Sequence, residues 1–465
     1  MDVMKDFEIS VYGLGVMGSS LAKNLISKGF RTALFGKSQE ERERFHAQGE
    51  FTVFSSEEEM IKSLKRPRVI FMMVTAGSVV DCVIDGFVPF LDEGDILIDG
   101  GNSHFKDTQR RCHTLLEKGI QFLGVGVSGG EKGALMGPSM MVGGSEKAWK
   151  SCGHILEKMA AKMGEEYCCS YLGKEGAGHY VKMVHNGIEY ALIQLIADIY
   201  SVMKKGLCLS RQEITEIFTR WKGTELNSYL IDITAGVLAK NDIDGKPLVE
   251  KILDVAQQKG TGSWTLEEAI ARGVYVPTIC EAVFARYFSV DQQLRKDGSQ
   301  VLKATTKPMI LENYEEKLKD ALYLGMIVSY AQGVALIKKA SEDCGWEIDL
   351  PLAVSLWREG CIIRSELLKD ITKALKESDK NILLSQSFGN LGRREEALRE
   401  ISAKTIEAGV AAPTFLSVIS YYDSCRTEKM NVNIVQALRD CFGAHTYERT
   451  DVKGSFHTLW MEGEK

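Results

Sequence analysis

Gly13-Leu14-Gly15-Val16-Met17-Gly18 stands where a β-rich run, Phe7 to Tyr12, gives way to a helical pattern from Val16 to Lys28 that Gly29 stops. In a chain with 44 glycines such a triplet also arises by chance, so its weight rests on the strand before it and the helix after it. In that setting Gly13 permits the tight turn, Gly15 lets backbone approach a pyrophosphate, and Gly18 lets helix and strand pack closely. The helix N-terminus then offers free N–H groups to phosphate charge. An ordinary strand-to-helix turn and a methyltransferase loop are the alternatives. A Rossmann strand of this kind usually carries an acid about 20 residues further on, bound to the ribose hydroxyls of NAD. Phe35-Gly36-Lys37-Ser38 holds none there. Lys37 and Ser38 stand instead where a 2′-phosphate would sit, which favours NADP over NAD; a solvated loop lysine is the plainer reading.

The same alternation continues. Strands are expected at Arg31 to Phe35, Arg68 to Val74, Asp95 to Asp99, Ile120 to Val127 and Ser139 to Val142, each ending in a glycine-bearing or polar loop. Strands that alternate with helices imply a mainly parallel, doubly wound sheet. From His179 the texture becomes helical, with Val181 to Lys205, Arg211 to Arg220 and Leu322 to Glu342 as the clearest segments. Met326 to Gly333 faintly echoes Met183 to Gly187, either an internal duplication or chance. The last residues, from Gln436, carry aromatics and charges without a helical stripe. The expected fold is therefore α/β: a Rossmann-like doubly wound sheet over 1–178, a large all-α domain over 179–435 and a C-terminal tail over 436–465.

A net charge of −6 gives no electrostatic reason to expect nucleic acid or an anionic membrane as partner. Eleven cysteines cannot all pair, none forms Cys-x-x-Cys, and eight scattered histidines add no metal-ligand spacing. The start lacks a basic segment followed by an apolar one, and the longest apolar run, Ala191 to Met203, is broken by Gln194 and Asp198 and falls short of the ~18 residues of a membrane span. A cytoplasmic protein without a structural metal is expected.

The segment Gly176 to Tyr190 carries the most chemistry. Lys182, His185, Asn186 and Glu189 fall on one helix face, which turns apolar at Ile193 and Ile196. This pattern suggests first turns that line a cavity and later turns that enter the core. A buried Lys can work as a base near neutrality, with a nearby carboxylate as acid; a salt-bridged surface pair is the alternative. Asp99 to Ser103 and Val127 to Gly130 each follow a strand, at the sheet edge where ligands bind in open α/β folds. Gln258-Lys259-Gly260-Thr261-Gly262 is a plausible phosphate clamp, and Arg286 sits in an otherwise apolar helix, where an unpaired guanidinium is costly.

Taken together, these motifs, with Gly360 to Arg364 and Phe442 to Tyr447, run from end to end of the chain. The chain resembles the long, decarboxylating 6-phosphogluconate dehydrogenases. The resemblance implies oxidation of 6-phosphogluconate at C3 and loss of CO2 to give ribulose 5-phosphate, a pentose phosphate step, with reduction of NADP (or NAD) and no metal. It assigns Lys182 as base and Glu189 as acid. Asn102, Ser128, Gly129, Gly130, His185 and Asn186 would surround the carboxylate and hydroxyls, and Tyr190, Lys259, Thr261 and Arg286 the phosphate. Arg439 and His445 would reach the neighbouring subunit's site, so a homodimer with interlocked tails is implied. Gly13, Leu14, Gly15, Val16, Met17, Gly18, Gly36, Lys37, Ser38, Val74, Thr75, Ala76 and Asn102 would hold the cofactor. The chain departs from the family pattern at Thr75, where many members have Lys, at Gly36-Lys37-Ser38, which replaces Asn-Arg-Ser/Thr, and at Val142, which replaces Pro. Another β-hydroxyacid dehydrogenase, or an inactive dinucleotide-binding protein, is the alternative reading.

Overall fold

Runs of apolar residues that are too short for helices become the strands of one sheet: β1 (Ile9–Tyr12), β2 (Thr32–Phe35), β3 (Val69–Met72), β4 (Ile96–Asp99), β5 (Gln121–Ser128) and β6 (Ser139–Gly144). The computed structural model describes residues 7–47, 49, 51–258, 260–302 and 307–461. A seventh strand, Cys169–Gly173, completes the sheet in the order β2-β1-β3-β4-β5-β6-seventh. The seventh was not expected, because Cys169-Ser170-Tyr171 carries no β-branched run. Pairing is parallel from β2 through β5. It turns antiparallel between β5 and β6, then parallel again to the seventh strand. The central strands are buried on both faces, which is why they read as continuous apolar runs rather than alternating ones. Ile9, Val11, Phe71, Ile98 and Val125 pack on one side with Leu21, Leu25 and Leu156. Ile70, Met72, Leu97 and Phe122 pack on the other with Val80, Ile84, Phe87 and Leu115.

The order reverses at β1, which lies between β2 and β3. A doubly wound sheet binds its ligand at such a crevice. Helix α1 (Val16–Ser27) leaves β1 there through the glycine loop. Gly13 has φ +99°, and a Cβ on it would lie 2.4 Å from the Met73 carbonyl oxygen, so only glycine makes this turn.

Past the sheet the chain is helical. The long helix Ala177–Ser201 starts earlier than its apolar pattern suggests, because Gly176 to His179 sit against the sheet, and it ends in a π-turn, Val202–Gly206. Tyr314–Cys344 packs beside it, with Gly333 so close that a Cβ would lie 2.4 Å from Ile188 Cδ1. The two echoing segments thus lie on neighbouring core helices. Tyr314–Cys344 is long and apolar enough to cross a membrane, yet its apolar stretch is 94% buried inside the fold, which makes it a core helix. Ile193 corrects one expectation: it is 37% exposed, while Ile196 is buried. The stripe below Glu189 surfaces at Ile193 instead of entering the core.

The chain forms two compact units, Met1–Val418 and Ile419–Lys465. The expected tail lies within the second. It is more ordered than its pattern suggested: a helix, Val432–Gly443, precedes a two-stranded pair, Tyr447–Glu448 with Ser455–Phe456. Its hub is Asp440, which is fully buried. One carboxylate oxygen accepts from Thr446 N–H at 2.9 Å and faces His457 Nδ1 at 2.9 Å. The other accepts from Thr458 N–H at 3.0 Å and Trp460 Nε1–H at 2.8 Å.

Candidate functional site

Two adjoining cavities open at the carboxyl edge of the sheet. The larger, about 590 Å³, is lined by Met17, Val74, Thr75, Ala76, Gly100, Gly101 and Asn102, among others. The smaller is lined by Asn102, Ser103, His179, Lys182, Met183, Asn186, Thr261 and Trp264. Asn102, Thr261 and Trp264 border both.

The dinucleotide loop has the form its sequence implied. Helix α1 begins at Gly15 with no side-chain cap and no acid in its first turn, so its leading N–H groups are left for an outside acceptor. A Cβ on Gly15 would meet nothing within 4 Å, whereas one on Gly18 would lie 1.8 Å from the Gly13 carbonyl oxygen. One glycine faces open space and the other closes the turn. These features fit a bound pyrophosphate. After β2, Lys37 and Ser38 are both exposed. Ser38 Oγ accepts the Glu41 N–H at 3.1 Å, capping helix α2 (Gln39–His46). Leu14 is buried and Val16 is 61% exposed.

The loop after β4 is built to hold Asn102. Asp99, fully buried, accepts the Gly101 N–H at 2.9 Å on one oxygen and the Ser103 hydroxyl at 2.6 Å on the other. After β5, Gly129 has φ +113°, and a Cβ there would lie 2.4 Å from the Gly360 carbonyl oxygen. The Gly360 to Arg364 segment therefore backs the Ser128-Gly129-Gly130 turn. Gly130, too, has positive φ.

Helix Ala177–Ser201 brings its polar face against these loops. Lys182, His185 and Asn186 are buried, and Glu189 is half-buried, so the surface salt-bridge reading falls. Lys182 Nζ donates to Asn186 Oδ1, which also lies 3.3 Å from His185 Nδ1. His185 Nε2 in turn lies 3.4 Å from Ser128 Oγ. This is consistent with a neutral imidazole that donates from Nδ1 and accepts at Nε2. Burial lowers the Lys182 pKa, against the opposing pull of Glu189. Burial raises that of Glu189, although Lys182 and Arg286 work the other way. The His185 pKa falls well below the free value through burial and the Lys182 charge. A base easier to deprotonate thus shares a helix with an acid easier to protonate.

Helix Thr261–Arg272 closes the other side. A Cβ on Gly262 would lie 2.4 Å from the Tyr190 ring, and Thr265 donates to the Met183 carbonyl at 2.9 Å. Arg286 lies over the Tyr190 ring, 3.3 Å from its centroid. The guanidinium thus meets an aromatic face. Lys259 lies outside the described residues. Arg439 and His445 are both exposed, and both belong to the second compact unit. Sequence reasoning missed His179 and Trp264, which line the smaller cavity with Ser103. His179 continues the Lys182 face one turn back, a spacing that could have found it. Among the described residues no cluster of three or more His, Cys, Asp or Glu is placed to hold a metal ion.

Comparison with known proteins agrees with this arrangement. Residues 8–173 match the profile of the NAD binding domain of 6-phosphogluconate dehydrogenase, and residues 178–460 match that of its C-terminal domain. The chain is 47% identical to the decarboxylating 6-phosphogluconate dehydrogenase of Lactococcus lactis, over 98% of this chain and 99% of the relative. It is 46% identical to the NADP(+)-dependent, decarboxylating enzyme of Bacillus subtilis, over 99% and 100%. The solved structure of Plasmodium falciparum 6-phosphogluconate dehydrogenase, studied in apo form and with NADP+ or 6-phosphogluconate, superposes with a TM-score of 0.94 at 38% identity. That match covers 97% of this chain and all of the other. The chain belongs to the 6-phosphogluconate dehydrogenase family.

Proposed function

We propose that this protein oxidises 6-phosphogluconate at C3 with NADP and releases CO2 to give ribulose 5-phosphate. The observation that carries the reading is the buried Lys182, with Asn186, at the small cavity that adjoins the dinucleotide cleft. When bound, NADP supplies the nicotinamide that accepts the hydride from C3. Lys182, neutral in the productive state, takes the proton of the 3-hydroxyl. As an ammonium it then polarises the C3 carbonyl, and a β-keto acid so polarised loses CO2 readily. Glu189, whose pKa burial raises, delivers a proton to C1 of the resulting enediol. Asn102, Ser128, Gly129, Gly130, His185 and Asn186 orient the carboxylate and hydroxyls. Tyr190, Thr261 and Arg286, with Lys259, receive the phosphate.

The glycine loop holds the pyrophosphate, Gly36-Lys37-Ser38 the adenosine end, and Val74-Thr75-Ala76 with Asn102 the nicotinamide side. Two copies form a homodimer in which Arg439 and His445 complete the partner's phosphate site. Support comes from the exposed apolar side chains beside them, Leu438 and Phe442, at 55% and 75%. With its eleven cysteines all free, the enzyme works in the reducing cytoplasm.

Steady-state kinetics with 6-phosphogluconate, run against NADP and NAD in parallel with CO2 measured, tests the reaction. Purified protein that turns over 3-hydroxyisobutyrate but ignores 6-phosphogluconate would overturn it.

A further inference from the structure

In a doubly wound sheet the end of the second strand faces the adenosine ribose, and an acid there binds its hydroxyls. Here β2 ends at Phe35 and the next three residues hold no acid. The fold supplies one from the following helix. With Ser38 as its cap, α2 folds its first turn back so that Glu41 lies over Gly36. A Cβ on Gly36 would stand 3.0 Å from Glu41 Cβ, 3.2 Å from Glu41 Oε2 and 3.4 Å from Leu14 Cδ1. The carboxylate therefore sits between the end of β2 and the glycine loop.

Among the described residues no basic side chain pairs with it. Arg42 is turned to the carbonyls of Gly36 and Lys37, at 2.7 and 3.1 Å. Arg44 donates to the Leu14 carbonyl at 3.0 Å. Lys37 is exposed on the strand end. Among the described residues, the end of β2 thus presents a carboxylate with no basic partner near the exposed Lys37, while Arg42 and Arg44 donate to backbone carbonyls.

We infer that Glu41 is a specificity-determining residue that reads the ribose 2′ position. Its carboxylate accepts the 2′-hydroxyl of NAD and opposes the 2′-phosphate of NADP. Lys37 favours that phosphate, so the two residues hold the cofactor choice near balance and keep NAD usable beside NADP. The inference rests on the dinucleotide reading above.

The test uses the full-length protein and two nicotinamide-free probes, adenosine 2′,5′-bisphosphate and 5′-AMP, titrated by calorimetry, followed by NADP and NAD. Glu41→Gln is expected to shift the affinity ratio towards the 2′-phosphorylated ligands by about tenfold, equivalent to about 1.4 kcal/mol. Lys37→Ala should shift it the other way. A Glu41→Gln variant that melts like wild type and leaves both ratios within about twofold overturns the inference alone. Wild type that binds neither probe removes the dinucleotide reading, and this inference with it.

Discussion

Gly126→Ala tests whether the site depends on how closely helix Ala177–Ser201 approaches the sheet. A Cβ on Gly126 of β5 would stand 2.2 Å from Lys182 Cβ, 2.8 Å from Lys182 Cγ and 3.2 Å from the Gly178 carbonyl oxygen. Carbon atoms rest about 3.5 Å apart or more, so strand and helix must separate by roughly 1.3 Å. No rotamer relieves this, because Cβ moves with the backbone and with no χ angle. Lys182, His185, Asn186 and Glu189 would then retreat together from Asn102, Ser128 and Gly129, which stay on the sheet edge.

A displacement of about 1 Å in such a constellation costs on the order of 100-fold, about 2.7 kcal/mol of barrier. Overpacking should cost stability by about 1–3 kcal/mol. Gly124→Ala is the control. Its Cβ would meet Thr108 Cγ2 at 2.5 Å and His179 Nδ1 at 2.8 Å, atoms beyond Cβ on their side chains, so it demands less separation of strand and helix than a clash with Lys182 Cβ. The assay is kcat/KM for 6-phosphogluconate with saturating NADP, alongside thermal melts of both variants. Gly126→Ala should lose far more activity than Gly124→Ala for a similar loss of stability. If Gly126→Ala keeps activity within about twofold of wild type while folded, the claim that this contact positions the base is wrong.

Further outcomes follow from the site and from the tail. Lys182→Met should lower kcat/KM by about 1,000-fold while leaving NADP affinity unchanged, since a positioned base contributes in that range. Wild-type activity should rise with pH as the pair's base form appears and fall as its acid form is lost, a bell whose limbs belong to Lys182 and Glu189 jointly. Burial draws the limbs together by lowering one pKa and raising the other. Glu189→Gln should leave only the rising limb, and an unaltered bell would remove Glu189 from the acid role. Asp440→Asn should raise the KM for 6-phosphogluconate severalfold without changing NADP affinity, because Asp440 sets the backbone at Thr446, next to His445. Burial tends to raise the Asp440 pKa, but hydrogen bonds from His457, Trp460 and Thr458 outweigh it and hold the carboxylate at about 2. It is therefore ionised throughout the assay range. A KM equal to that of wild type would separate the tail from the phosphate site.

What sequence reading reaches here is whatever lies along one element. Lys182, His185, Asn186 and Glu189 share a helix face at fixed spacing, so their gathering was legible, and His179 extends the same stripe. The glycine loop was legible because a strand and a helix flank it. The reading failed where a second element decides. Ile193 keeps the helical period yet stays 37% exposed, whereas helix Thr261–Arg272 packs on Met183 and Tyr190. For Arg286 the sequence showed a guanidinium in an apolar helix but not the tyrosine ring on another helix that it lies over. Glu41 lies six residues past the end of β2, and the Ser38 cap with the bare Cα of Gly36 brings its carboxylate back to the strand end. Arg439 and His445 are a harder case. On their own unit they are exposed side chains, and no physics within one chain distinguishes them from other polar surface residues. The role proposed for them depends on a second molecule, which is why resemblance names them and local geometry does not. The pattern has a physical basis: periodicity encodes which side chains share a face, whereas function at this site depends on which faces meet.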